Sequence, residues 1–124
     1  MTNEQATLVN FVARGKSSDQ WKMVLVEQGP WNGSTQVNLK RIQTRLYDCI
    51  DATIDGQLAQ KFPETRGKKI IIQLDCYNLP KAEISEFFDK FSGDVFSQPD
   101  YRDALTKNAF VKSIVFEINF DSIH

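Results

Sequence analysis

Histidine is nearly missing from this chain of 124 residues: its one imidazole belongs to His124, the last residue. That removes a histidine general base from the body of the chain. Ser-His-Asp and Cys-His arrangements go with it unless the end folds back, and a mobile end is the plainer reading of His124. Cysteine is scarce as well. Cys49 and Cys76 stand alone with no CxxC spacing, too few for a four-ligand zinc site. Their apolar neighbourhoods, a helix stripe and a strand end, suit reduced core thiols better than a disulfide. Nor does one sign of charge dominate. Fifteen basic and 16 acidic residues leave a formal charge of −1, whereas nucleic-acid binders usually carry a basic excess or stripe. The basic residues from Lys40 to Lys69 are interleaved with Asp48, Asp51, Asp55 and Glu64, the pattern of a solvated helix surface.

Long apolar runs are absent too, so nothing approaches the roughly 20 residues that a bilayer-spanning helix needs. Met1 to Ala6 is polar, carries Glu4 and lacks the basic-then-apolar order of a secretory leader. A soluble, cytoplasmic protein is expected, with no membrane and no nucleic-acid partner. Glycine-rich phosphate loops, HExxH, calcium loops and iron–sulfur spacings do not occur, and neither cofactor nor metal is expected.

What is present is an ordinary globular composition, 41% hydrophobic and 25% charged, in a length that suits one domain over 1–124 with a flexible N-terminus at 1–6. Thr7 to Ala13 and Trp21 to Glu27 are rich in β-branched and aromatic residues and read as two strands. The turn cluster Arg14 to Asp19 makes them an antiparallel hairpin. Ser34 or Thr35 offers a capping hydroxyl, and Leu39, Ile42, Leu46, Cys49, Ile50 and Thr53 then follow helical spacing. The spacing predicts a helix over about 35–61, with Gly56 marking a bend, a close contact or a division into two. Phe62-Pro63 ends it. Lys69 to Cys76 is the clearest strand. Pro80 stands at a helix start, and Ile84, Phe87, Phe88 and Phe91 form an amphipathic stripe closed by Ser92-Gly93. A short helix over Pro99 to Thr106 and a strand over Phe110 to Phe120 complete the order. The expected fold is α+β: a two-layer sandwich with a four-stranded, largely antiparallel sheet (β-β-α-β-α-β) and two main helices on one face.

Side chains alternate along a strand. Ile70, Ile72, Leu74 and Cys76 therefore share one face, and Ile71, Gln73 and Asp75 the other. Ile114, Phe116, Ile118 and Phe120 oppose Ser113, Val115, Glu117 and Asn119 in the same way. The oily faces call for helices; the mixed faces are left to water or to a partner. The side on which Trp21, Met23 and Leu25 fall is open at this stage, because both faces of that strand are largely apolar. The candidate binding residues are Ile71, Gln73, Asp75, Val115 and Glu117, with Trp31 in the loop Gln28 to Gly33, where an exposed aromatic would suit a hot spot and a folded-back one would cap the core. Carboxylate acid/base chemistry on Asp55, Asp75 and Glu117 is the alternative. Structural duties compete with it: Asp75 as a strand-end hydrogen-bond acceptor, and Asp55-Gly56 as a helix-end device.

Three local strings occur together: Trp31-Asn32-Gly33-Ser34, Asp55-Gly56-Gln57-Leu58-Ala59 with Phe62-Pro63, and Ile72-Gln73-Leu74-Asp75-Cys76. Across roughly residues 7–77 the chain resembles a family of small uncharacterised bacterial proteins, a domain of unknown function. The resemblance implies a bacterial, cytoplasmic, single-domain protein. It brings no catalytic residue, cofactor or substrate. The functional expectation is a small non-enzymatic binding or interaction protein, immunity-protein-like or a homodimer, with a small carboxylate enzyme as the alternative.

Overall fold

In the computed structural model, residues 11–120 are described. The reading of residues 1–6 as flexible, the start of the first strand at 7–10 and the terminal His124 lie outside them. Two strands come first, β1 (Phe11–Arg14) and β2 (Gln20–Gln28), paired antiparallel as expected, with Val12 opposite Met23. The Ser34 hydroxyl then accepts from the Val37 amide at 3.1 Å and starts α1 (Thr35–Ile54). Gly56, at φ +97°, divides the predicted long helix and opens the five-residue α2 (Gln57–Lys61). A short 3₁₀ turn at Pro63–Thr65 leads to β3 (Lys69–Tyr77). Next comes α3 (Lys81–Asp94), which runs past Ser92 and into a 3₁₀ turn at Val95–Ser97. Gly93 does not stop it, because its backbone is not in the left-handed region that closes helices. Last are α4 (Pro99–Lys107) and β4 (Ser113–Phe120).

The expectation of an α+β chain with four strands in one sheet holds. The expectation that the sheet is largely antiparallel does not. Its order is β1-β2-β3-β4, and only the first pair is antiparallel; β2 with β3 and β3 with β4 are parallel. The reason lies in the connections. A hairpin turn reverses the chain, but a helical crossover carries it back to the end from which the strand began, so the next strand runs the same way. Both later connections contain helices.

The core follows the alternation. Met23, Leu25, Ile70, Ile72, Leu74, Cys76 and Ile114 form one buried cluster with Ile42, Leu46, Cys49 and Ile50 of α1 and Ile84, Phe88 and Phe91 of α3. Trp21, Met23 and Leu25 thus fall on the side that meets the helices. Lys22, Val24 and Val26 take the opposite face, a point that the apolar strand β2 left undecided. Phe116 anchors the outer strand against the helices, with edge contacts to Phe88 and Phe91 and a stacked contact to Phe96. Tyr101 ties α4 to α1: its hydroxyl donates to Asp51 at 3.1 Å, and its ring leans on Tyr47. Among the described residues, no helix is long and apolar enough to cross a membrane.

Candidate functional site

Strand register sets three rows on the face turned away from the helix cluster. Ala13, Lys22, Ile71 and Val115 make the first; Val24, Gln73 and Glu117 belong to the second; Val26, Asp75 and Asn119 to the third. Five of the six expected binding residues are therefore brought together here: Ile71, Gln73, Asp75, Val115 and Glu117. A chain of hydrogen bonds crosses the rows. Lys22 Nζ donates to Gln73 Oε1 at 2.8 Å, Gln73 Nε2 donates to Asp75 Oδ1 at 2.9 Å, and Asn119 Nδ2 donates to the same oxygen at 3.1 Å. Lys22 Nζ also lies 3.6 Å from Glu117.

This geometry corrects one expectation. The alternation puts Ile71 and Gln73 on a face open to water, yet they are only 4% and 8% exposed. Lys22 is directly opposite Ile71, and its ammonium reaches along the sheet to Gln73 and across it to Glu117. Val24, in the middle row, is only 2% exposed as well, so the burial runs through the centre of this face. What the face offers to a partner is Val115, Glu117 and Asn119 on β4, with Asp75 and Lys22 half-buried beside them.

Trp31 stands apart from this face. It is half-buried and packs against the helix-side core, with its indole Nε1 enclosed and without a hydrogen-bond partner. Asp55 is separated as well. It closes α1, and its carboxylate accepts from the Gln57 amide at 3.1 Å and the Gln57 side chain at 2.8 Å. Its neighbour Gly56 packs on Phe110, whose carbonyl receives the Gly67 amide just before β3 begins. Asp75 is six residues into that strand, about 20 Å further along. Of the three carboxylates considered for acid/base work, Asp75 and Glu117 share a face and Asp55 sits at the other end of the sheet.

A charged cluster escaped sequence reasoning. Glu27, at 4% exposure, lies on the helix side of β2, level with Cys76. Arg41 grips it with both guanidinium nitrogens at 2.7 Å each; Arg45 donates to it at 2.7 Å and to the Val26 carbonyl at 3.1 Å. Asn38 orients Arg41 through a 3.1 Å bond and donates to the carbonyls of Asn32 and Ser34. Burial pushes the Glu27 carboxyl up, but the hydrogen bonds from the two arginines more than reverse this and hold it below its ordinary value. A signal existed: two arginines four apart flank the Ile42–Leu46 stripe, so both lean toward the strand beneath. The cluster fastens the C-terminal end of β2 to α1, and its carboxylate is fully engaged.

The thiols are inert by environment. Desolvation pushes both Cys49 and Cys76 up to about 12, and both are buried and unpaired by disulfide. Among the described residues, no group of three or more His, Cys, Asp or Glu could hold a metal ion. The hollows are shallow. One of about 180 Å³ lies at the strand ends between Asp75, Tyr77 and Asn119, and one of about 420 Å³ lies on α1 between Val37, Lys40 and Phe87. In the smaller one the polar groups of Asp75 and Asn119 are bonded to each other.

No family model matches this chain, and searches of curated proteins and of solved structures return no match.

Proposed function

We propose that this protein works by binding another protein, in the manner of a small immunity-type domain, through the sheet face turned away from the helix cluster. In this reading the fold is a two-layer sandwich with α1 and α3 on one side and the docking face on the other. The observation that carries it is the Lys22–Gln73–Asp75–Asn119 hydrogen-bond chain beside Val115, which is 39% exposed. Such a chain holds polar groups in fixed positions across a flat surface, and a central apolar contact within a polar surround is how protein interfaces are built. Asp75 and Glu117 outnumber Lys22 on the face. A partner that sets a basic side chain against Asp75 and a small apolar group against Val115 fits it. Trp31, on the helix side, covers the core in this reading and takes no part in the docking face.

The test is affinity isolation of the tagged protein from its source cells, with Asp75→Lys as the face variant and Lys90→Glu, on α3, as the control. A partner retained by the wild type and the control and lost by Asp75→Lys supports the reading. A partner set that ignores Asp75→Lys, or none at all, sinks it.

A further inference from the structure

Of the sheet's two edge strands, β1 is described over Phe11–Arg14 and carries Arg14 at its end. β4 has eight residues, no proline, no basic side chain and Glu117 as its single charge. It pairs with β3 on one side, and among the described residues no strand covers the other. About half of its residues turn their backbone N–H and C=O groups toward that outer side. Its helix-side residues are apolar, and Val115 adds one apolar side chain to the mixed outer face. Phe116, Ile118 and Phe120 are half-buried where the helices end, and Val115 is one of two large apolar side chains that stand out among the described residues.

The strand also complements itself. Two β4 strands running antiparallel about a two-fold axis at Phe116 would set Phe116 against Phe116 and Ile114 against Ile118 of the second copy. Val115 would oppose Glu117, and Ser113 would oppose Asn119. This register pairs Ser113 to Asn119, seven of the eight residues of β4, with aromatic, aliphatic and hydrogen-bonding partners matched. Moving the axis to Glu117 brings two carboxylates face to face, which is destabilising. Moving it to Val115 or Ile118 shortens the paired stretch.

We propose that the β4 edge binds a second copy of this chain, antiparallel and centred on Phe116, joining two four-stranded sheets into one continuous sheet. This deepens the binding reading above by naming one partner and its register; it rests on the β4 edge and shares Val115 and Glu117 with the face.

Sedimentation equilibrium of the full chain tests it. The wild type is expected at twice its monomer mass of 14.2 kDa. Val115→Glu places a carboxylate opposite Glu117 twice per dimer and should raise the dissociation constant at least tenfold. Val115→Lys places an ammonium there and should leave the dimer intact, more sensitive to salt. Val115 is exposed, so both variants should keep the wild-type circular dichroism spectrum. A wild type that stays at the monomer mass at the highest soluble concentration overturns the proposal. So does identical behaviour of the two variants, since a generic apolar contact would suffer from either charge. A monomer that still captures a foreign partner through Asp75 overturns self-pairing and leaves the face reading standing; a Val115-dependent dimer with no foreign partner does the reverse.

Discussion

Arg41 and Glu27 meet as a two-pronged ion pair, both contacts at 2.7 Å, where β2 leaves the sheet. The guanidinium fork matches a carboxylate in a way that lysine cannot. Arg45, only 12% exposed in its side chain, completes the grip. Removing the acid strands a buried arginine, so Glu27→Ala should cost about 3–5 kcal/mol in urea unfolding. Arg41→Lys, half exposed and losing the fork while keeping a charge, should cost distinctly less. The pair also sets a pH dependence. Folding holds the Glu27 carboxyl below its ordinary value of 4.5, so the unfolded chain takes up a proton first as acid is added. The contribution is whole above the unfolded value and is lost as pH falls through the folded one. Urea midpoints measured from pH 7 down to pH 3 should fall less steeply in Glu27→Ala than in the wild type.

Gly56 and Gly67 share a left-handed backbone, with φ of +97° and +74°, but not their surroundings. A Cβ on Gly56 would come within 2.7 Å of the Phe110 ring tip, whereas one on Gly67 would meet nothing within 4 Å. Gly67→Ala should therefore cost only the conformational penalty, about 1–2 kcal/mol. Gly56→Ala should cost more, since the helix break and the Phe110 contact are held by the same residue. Phe110→Leu should recover part of the difference, and a double-mutant cycle on thermal unfolding would measure it.

These elements also mark how far the sequence could be read. Alternation in Ile70 to Cys76 and Ile114 to Phe120 pointed to the right inward faces, because strand geometry leaves no freedom there. The Ile84, Phe87, Phe88 and Phe91 stripe placed α3, and Gly56 announced the break in the 35–61 helix. Strand direction is not legible in the strands themselves, because it depends on what joins them: a helical crossover returns the chain to its starting end, and a hairpin does not. β2 hid its inward face, since Trp21, Met23 and Leu25 alternate with Val24 and Val26. Glu27 was hidden with it: a carboxylate on the core side becomes legible only once Arg41 and Arg45 are seen to lean over it. The burial of Val24 and Ile71 on the outer face is a tertiary effect, invisible to a period-two pattern. Of the candidate site, the shared face was legible; the separation of Trp31 and Asp55 from it was not.

Both thiols should ignore a thiol reagent in the native state. Cys49 and Cys76 sit near 12 on the pH scale and are enclosed, and the thiolate is the reactive form. At pH 8 the folded protein should show no fast thiol equivalents with an aromatic disulfide reagent. Two should appear when guanidinium is added. A fast equivalent in buffer alone would show that one of these sites opens without unfolding.

Lys22 separates two effects that a single deletion would merge. Its ion pair with Glu117 spans 3.6 Å, and the acid is 45% exposed, so Glu117→Gln should change stability by no more than about 0.5 kcal/mol. The hydrogen bond to Gln73 and the stem opposite Ile71 are another matter. Lys22→Ala removes both and should cost about 1–3 kcal/mol, the range for a buried polar atom left without its partner. Lys22→Met keeps a stem of similar reach and loses only the ammonium, so it should fall between the two. Should Lys22→Met match Lys22→Ala in chemical unfolding, the hydrogen bond alone holds this face; should it match the wild type, the methylene stem does.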